Sequence, residues 1–426
     1  MSALHGTRVV EIANERIAYA GKLMGDMGAD VVLVEPGQGD PCRAYPPFAE
    51  DAAASGDKPE SLYWWHYNTS KRGIALDLEQ SAAREAFLAL IASADVLIES
   101  EAPGRLAALG LDYEDLRAVK PDLIHVSMTP FGRDTSRRDE PAVDLTILAG
   151  GGPVWSCGYD DHSIPPIRGG GNQGYQTGCH YAVLSALTAI FHHGVTGEGQ
   201  FIDVSMHASA NITTEMSSYF YHVEQQTVVR QTGRHAMPMM TMPVQIKCKD
   251  GRYATTGMPP RSPKGFGDLY DWLDELGLVD QLPEALFLDN ARHRESIGFA
   301  DIGVDDEVTA IYAAARDAIT LICKNSTVDD FFNGAQKLGI TVGSILSPEE
   351  AYENPHFVAR GYQVEVEHPE RGDAIRYPGA PYQLPASPWK ISRRAPRLGE
   401  HDDEILGALG YDAAAREAFR ETGRDR

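Results

Sequence analysis

What this 426-residue chain has little of narrows it first. Its five cysteines, Cys42, Cys157, Cys179, Cys248 and Cys323, are widely spaced and contain no C-x-x-C pair. That argues against a disulfide framework and a zinc ribbon, and for a reducing compartment. No stretch approaches the roughly 20 apolar residues of a membrane span, and the opening Met1-Ser-Ala-Leu-His-Gly6 lacks a basic-then-apolar signal pattern. A cytoplasmic protein with no membrane contact is expected. Positive charge is scarce: Lys plus Arg is 38 against 61 Asp plus Glu, a net charge of −23, which repels nucleic acid and anionic lipid. An anionic small molecule stays admissible, since local cations act within a Debye length of about 8 Å. His180, His192, His193 and His235 form no H-E-x-x-H or comparable set, so they read as core residues rather than metal ligands.

What is present is the composition of a folded globular chain, 43% apolar and 23% charged. Single cores stop growing at roughly 250–300 residues, so this length calls for two lobes. Arg8–Ala13 and Asp30–Glu35 are β-branched runs, and Ile17, Ala20, Leu23, Met24 and Met27 fall between them at helical spacing. A helix over Ser81–Ala92 precedes the run Asp95–Glu99, and a third run covers Asp122–Ser127. Strands alternating with helices predict an α/β fold with a parallel sheet covered on both faces. The first strand-to-helix turn, Ala13 to Gly21, lacks G-x-G-x-x-G, which argues against a dinucleotide. Neither Gly150-Gly-Gly152 nor Gly169-Gly-Gly171 is followed by the Lys-Ser/Thr of a phosphate-gripping loop. Cys179–His192 is apolar nearly all round and predicts a buried helix, and Gly199–Met206 reads as a strand. A smaller lobe is expected over 206–335, with helices near 266–277 and 305–323. The tail from Gly339 to Arg426 reads as compact and Pro-rich. Met237, Met239, Met240 and Met242 pack an inner surface or line an acyl pocket.

Several segments together resemble the class III CoA-transferases. They are Leu4–Glu11, Gly28–Pro36, Gly39-Asp-Pro-Cys-Arg43, Asn68-Thr-Ser-Lys-Arg-Gly-Ile-Ala-Leu-Asp77, Ala94–Glu99 with Pro103-Gly104, Thr196-Gly-Glu-Gly-Gln200 and Arg394-Ala-Pro-Arg-Leu-Gly-Glu-His401. The resemblance implies a Rossmann-like large domain built from both chain ends (1–205 and 336–426), a smaller α+β domain (206–335), and two interlocked subunits. It also implies transfer of coenzyme A from a thioester to a carboxylate, with no permanently bound cofactor.

Such transfer needs a nucleophile that attacks the thioester carbonyl and holds the acyl group as a mixed anhydride, which an ionised carboxylate does. In the family this is an Asp in a short loop before a buried helix. Here the loop reads Arg168-Gly-Gly-Gly-Asn-Gln-Gly-Tyr175, and the matching position is Asn172, with Gln173 and Gly174 also compatible. A carboxamide is neutral and forms no anhydride. Without the family, Asn172 is a polar residue in a glycine turn. With it, the chain resembles the nucleophile-free partner of a benzylsuccinate-type CoA-transferase, working beside a homologous catalytic subunit. The alternatives are a homodimer using Asp144 or another carboxylate, and a CoA-thioester binding protein without turnover.

Asp144 matches an acidic pocket position, and equally suits the cap of a helix starting near Leu145. Val143 stands where related racemases carry a His, which disfavours racemisation. Glu15 and Arg16 match a position near the oxyanion, or form a solvated pair. Arg43, Lys71, Arg72 and Arg105, with Leu76, are the candidates for holding CoA, each cation being otherwise a surface charge. Pro36, Glu79, Glu101, Ala108 and Pro141 stand where relatives supply basic or aromatic contacts.

Overall fold

A computed structural model describes residues 1–49 and 60–423, so the last three residues of the expected tail lie outside it. Two compact units are present, one comprising Met1–Trp155, Ile167–Ser218 and Pro355–Arg426, the other Ser156–Pro166 and Tyr219–Asn354.

The first unit is built on six strands: β1 (Arg8–Ile12), β2 (Asp30–Glu35), β3 (Lys71–Ala75), β4 (Val96–Glu99), β5 (Ile124–Thr129) and β6 (Gln200–Ser205). They lie in the order β3-β2-β1-β4-β5-β6, every pairing parallel. This is the Rossmann-like order, with the chain reversing direction across the sheet between β1 and β4. The strand period of two sorts neighbouring residues to opposite faces. Val9, Val31, Val96 and Val126 share one core with Ile17, Ala20 and Met24 around α1 (Ala18–Asp26) and with Cys179, Ala182 and Ala186. Val10, Val32, Ile74 and Leu97 face Phe87, Leu90 and Ile91 of the helix Ser81–Ala92. Burial on both faces is why the strands read as unbroken apolar runs. Each fully buried Phe, Leu or Ile there contributes roughly 1.5–3 kcal/mol.

The expected buried helix runs from Gln173 to Thr196 and is covered on one face only. Gly174, Gly178, Ala182, Ala186 and Ala189 form the inner stripe. A Cβ at Gly178 would stand 2.9 Å from the Met128 sulfur, so the small residue sets the approach to the sheet. The outer face carries Leu184, Phe191 and Val195, which are 58%, 76% and 74% exposed. Apolarity on all sides therefore marks an outer face this chain leaves uncovered.

The T-G-x-G-Q motif has a structural explanation. Gly197, at φ +76°, ends the long helix in left-handed geometry and donates its N–H to His193 O at 2.7 Å. A Cβ on Gly199 would lie 2.3 Å from the Asp122 carbonyl carbon and the Leu123 oxygen, so only glycine lets β6 enter beside β5.

The second unit has an antiparallel three-stranded sheet (Gln245–Lys247, Tyr253–Thr256 and Val342–Ile345) and a hairpin of Val229–Gln231 with Arg234–Met237. Its helices Pro263–Glu275, Asp306–Asn325 and Val328–Lys337 enclose Phe266, Leu269, Ile311, Ile319 and Phe331. Met239, Met240 and Met242 are exposed, 71%, 47% and 54%. They line no core.

Candidate functional site

A cleft of about 390 Å³ opens at the carboxyl ends of the central strands. Its walls are Ile12–Arg16 after β1, Val34–Pro36 at the end of β2, Leu76–Leu78 after β3, and Glu101 and Arg105 after β4. This is the place where open parallel sheets bind ligands, because the loops diverge where the strand order reverses. The sheet thus carries Glu15, Arg16, Leu76 and Arg105 to one cleft from three separate loops.

The charge in that cleft is lopsided. Glu15, Glu35, Asp40, Asp77 and Glu101 line it against Arg16 and Arg105. Arg105 is already paired with Glu79 at 2.5 Å and stands 4.0 Å from Glu101. Burial raises the Glu101 pKa, and the nearby Glu99 adds to the shift.

Asn172 is the residue preceding the long helix. Its Nδ2 donates to the Tyr63 hydroxyl at 2.8 Å, and one turn on Gln176 Nε2 donates to the Tyr67 hydroxyl at 3.0 Å. Both pairs are spaced i, i+4, so the amide just before the long helix and the one in its first turn meet two phenols on the helix Leu62–Tyr67. Each phenol oxygen accepts from an amide, which leaves its own O–H to donate. Burial pushes the Tyr63 and Tyr67 pKa values up, so both stay neutral donors at pH 7. The Tyr63 ring lies 5.4 Å from that of Tyr45, which lines the cleft and bonds Glu15. Burial together with the Glu15 charge pushes Tyr45 up to about 12.

Asp144 sits in the first turn of the helix Asp144–Gly151, yet it caps another one. Its Oδ1 accepts from the N–H groups of Gly174 and Tyr175 at 2.8 and 3.1 Å, at the start of the long helix. Its Oδ2 pairs with Arg168 at 3.2 Å, and the same guanidinium reaches Gly171 O at 2.6 Å, closing the glycine loop. Of the three residues compatible with the nucleophile's place, Gly174 faces this carboxylate: a Cβ there would stand 3.1 Å from Oδ1. Arg16 Nη2 donates to Ala142 O at 3.0 Å and its side chain bonds Tyr175, so it links the cleft to the Asp144 neighbourhood.

The remaining cations stand elsewhere. Lys71 is fully buried, its ammonium bonded to Glu11 at 2.8 Å, Ala18 O at 2.9 Å and Asn68 at 2.9 Å. It presents no charge to a ligand. Arg72 lies at the amino end of β3, away from the cleft, gripping Asp30 with Nη2 at 2.7 Å and Glu404 at 3.0 Å. Arg43 holds Glu35 with two bonds of 2.7 Å and lines a second cavity. The Asn68–Lys71 stretch is a wiring point: Thr69 and Ser70 bond Asp26, which also pairs with buried Lys22 at 2.8 Å. Among the described residues no group of three His, Cys, Asp or Glu is placed to hold a metal, and no helix is long and apolar enough to cross a membrane.

Tyr63, Tyr67, Gln176 and Arg168 were not singled out from sequence. The aromatic run Tyr63-Trp-Trp-His-Tyr67 and the matching i, i+4 spacing of Asn172 and Gln176 were the available signals.

The sheet order and the cleft at its reversal define an α/β ligand-binding enzyme fold. The model of CoA-transferase family III matches residues 4–402, and the chain belongs to that family. It is 31% identical to succinyl-CoA:(R)-benzylsuccinate CoA-transferase subunit BbsE of Thauera aromatica, over 95% of this chain and 94% of that protein. It is 29% identical to succinyl-CoA:mesaconate CoA-transferase of Haloarcula marismortui, over 97% and 98% of the two chains. The crystal structure of a CAIB/BAIF family protein from Brucella suis superposes with a TM-score of 0.75 at 25% identity, covering 96% of this chain and 99% of that one. CoA-transferases use CoA thioesters as substrates, and the chain is a CoA-transferase of this class.

Proposed function

We propose that this chain is the nucleophile-lacking subunit of a heteromeric CoA-transferase, which moves coenzyme A from a succinyl-CoA-like donor to an aromatic or branched dicarboxylic acid. The observation that carries this reading is the neutral amide of Asn172, bonded to Tyr63 where the chemistry asks for a charged oxygen. Asp144 is a poor substitute. It is 6% exposed, and both its oxygens are engaged by Gly174, Tyr175 and Arg168. A carboxylate so stabilised has little nucleophilicity left. The acid-rich cleft, with Arg16 and Arg105 as its only guanidinium groups among the described residues, further supports a role other than gripping CoA phosphates.

A partner chain is favoured by the outer face of the long helix, where Leu184, Phe191 and Val195 form an exposed apolar stripe. In an interlocked assembly that stripe would be covered. The relative of 31% identity bears a subunit name, and succinyl-CoA recurs in the names of both relatives above, which supports the donor class.

The test is to trap the native complex with donor thioester and hydroxylamine, then map the modified peptide by mass spectrometry. Hydroxamate on a co-purified homologous chain alone agrees with the proposal. Modification of Asp144 would replace it with the homodimeric reading, and tight thioester binding without any adduct would replace it with a binding protein.

A further inference from the structure

Two thiols meet in the core of the second unit. Cys248 follows the strand Gln245–Lys247 and Cys323 lies in the last turn of the helix Asp306–Asn325, 75 residues further along the chain, yet their sulfurs stand 3.4 Å apart. Both are free thiols. The wide spacing that argues against a disulfide framework also hides this pair.

The contact is held from both sides. After Cys248 the chain turns back: Cys248 N donates to Arg252 O at 2.8 Å, and Gly251, at φ +87°, donates to Cys248 O at 3.0 Å. The tip of that turn is fastened to the stretch just past Cys323, Lys249 N donating to Ser326 O at 2.9 Å and Val328 N to Asp250 Oδ2 at 3.1 Å. Arg252 adds a grip on Asp329 at 2.6 Å. The segments carrying the two sulfurs are thus tied together by bonds that do not involve sulfur. Closing 3.4 Å to the bonded distance of about 2.05 Å asks each sulfur to move by roughly 0.7 Å. Cys323 is 0% exposed and Cys248 5%, but Lys247 and Lys249 on either side of Cys248 are exposed. The pair therefore lies one residue beneath the surface, closed to bulky reagents and within reach of an oxidant little larger than water. Burial, and after it the hydrogen bond with Cys248, pushes the Cys323 thiol up, so Cys248 is the sulfur that reacts first.

We propose that Cys248 and Cys323 are a peroxide-responsive dithiol that closes to an intramolecular disulfide. The Cys248 sulfur attacks one oxygen of hydrogen peroxide, the O–O bond breaks, and the other oxygen leaves as water with the Cys248 thiol proton, giving the sulfenic acid. The Cys323 sulfur then attacks that of Cys248, the S–O bond breaks, and hydroxide leaves with the Cys323 proton as a second water. Two thiols and one peroxide become one disulfide and two waters, two electrons passing from sulfur to the peroxide oxygens. A small dithiol reduces the bond again. Once formed, the link pins the 248–252 turn to the helix end and closes a long loop, which stabilises the second unit. This inference is independent of the reading of the chain as a transferase subunit.

The test uses the reduced full chain. Hydrogen peroxide is added until Cys157, the exposed cysteine of the same unit, is modified; the remaining thiols are blocked with N-ethylmaleimide in urea, and the unreduced digest is read by mass spectrometry. The peptides of Cys248 and Cys323 should appear joined. The oxidised chain should melt about 5 °C or more above the reduced one, and dithiothreitol should reverse the gain. Cys248→Ala and Cys323→Ala should each abolish both effects, and the parent's digest decides the link even where a variant fails to fold. Glutathione disulfide, too bulky for a buried pair, should form the link about tenfold more slowly or less than peroxide at equal concentration. The proposal is overturned if both sulfurs are found unlinked while Cys157 is modified, if the link forms only after urea unfolding, or if glutathione disulfide makes it as fast as peroxide does.

Discussion

Lys71→Met separates two meanings of the Asn68-Thr-Ser-Lys-Arg72 stretch: a phosphate grip or a buried strut. The ammonium is fully buried and makes three bonds, to Glu11, Ala18 O and Asn68. Removing it leaves the Glu11 carboxylate, itself fully buried, without its counter-charge. Breaking one side of a buried pair costs about 3–5 kcal/mol. Burial already pushes Glu11 up to about 7 against the pull of Lys71, so the variant moves it higher still. An acid whose folded pKa is raised stabilises the fold fully below its unfolded pKa near 4.5, and that stability is lost as pH rises to the folded value. Between pH 7 and pH 8 the parent, whose Glu11 is about half ionised at pH 7, should lose only ~0.4 kcal/mol and the variant up to ~1.4 kcal/mol, a difference of about 1 kcal/mol. Urea denaturation of parent and variant at both pH values measures this, and adding Glu11→Gln should remove the extra slope. A shift below about 1 kcal/mol at pH 8, together with weakened binding of coenzyme A, would refute the strut and restore the phosphate role.

Three further outcomes are expected. Asn172→Asp places a carboxylate beside the Tyr63 hydroxyl, which then donates to it; a hydroxylamine-trapped adduct on residue 172 should appear in the variant and not in the parent, and its absence at saturating thioester counts against this position being the nucleophile's. Gly199→Ala drives a Cβ to 2.3 Å from the backbone at Asp122 and Leu123, so the loss should be about 3 kcal/mol or more, read as a lowered melting temperature or insoluble expression. Burial lowers the His66 pKa to about 4 from 6.5. Stability should hold above pH 6.5, where both states are neutral, and decline between 6.5 and 4 as the unfolded chain takes up the proton, by about 3 kcal/mol. His66→Phe should flatten that decline in a pH series of denaturation midpoints.

Much of the first unit was legible because its determinants are local. The runs at Val9–Ile12 and Val31–Val34 are β-branched and buried on both faces, which only a covered parallel strand satisfies. The helix over Ser81–Ala92 was legible from its spacing to the residue. The glycine motif at 196–200 was visible too, though its reason, a helix stop followed by contact with the Asp122–Leu123 backbone, was not.

Side-chain partners are another matter, because pairing depends on which segments the sheet brings together. A lysine in a motif reads the same whether its ammonium meets a phosphate or Glu11, 60 residues away. An aspartate at a helix start reads as that helix's cap, whereas Asp144 caps a helix beginning 29 residues later. The chain alone determined the alternation of strands and helices, the excess of negative charge and the amide in the glycine loop, since each is a property of composition or spacing. Tertiary structure decided which charges are buried in pairs, which line the cleft, and that two cysteines far apart in the chain meet in one core. Burial and distance set those energies, and neither exists until the chain has folded.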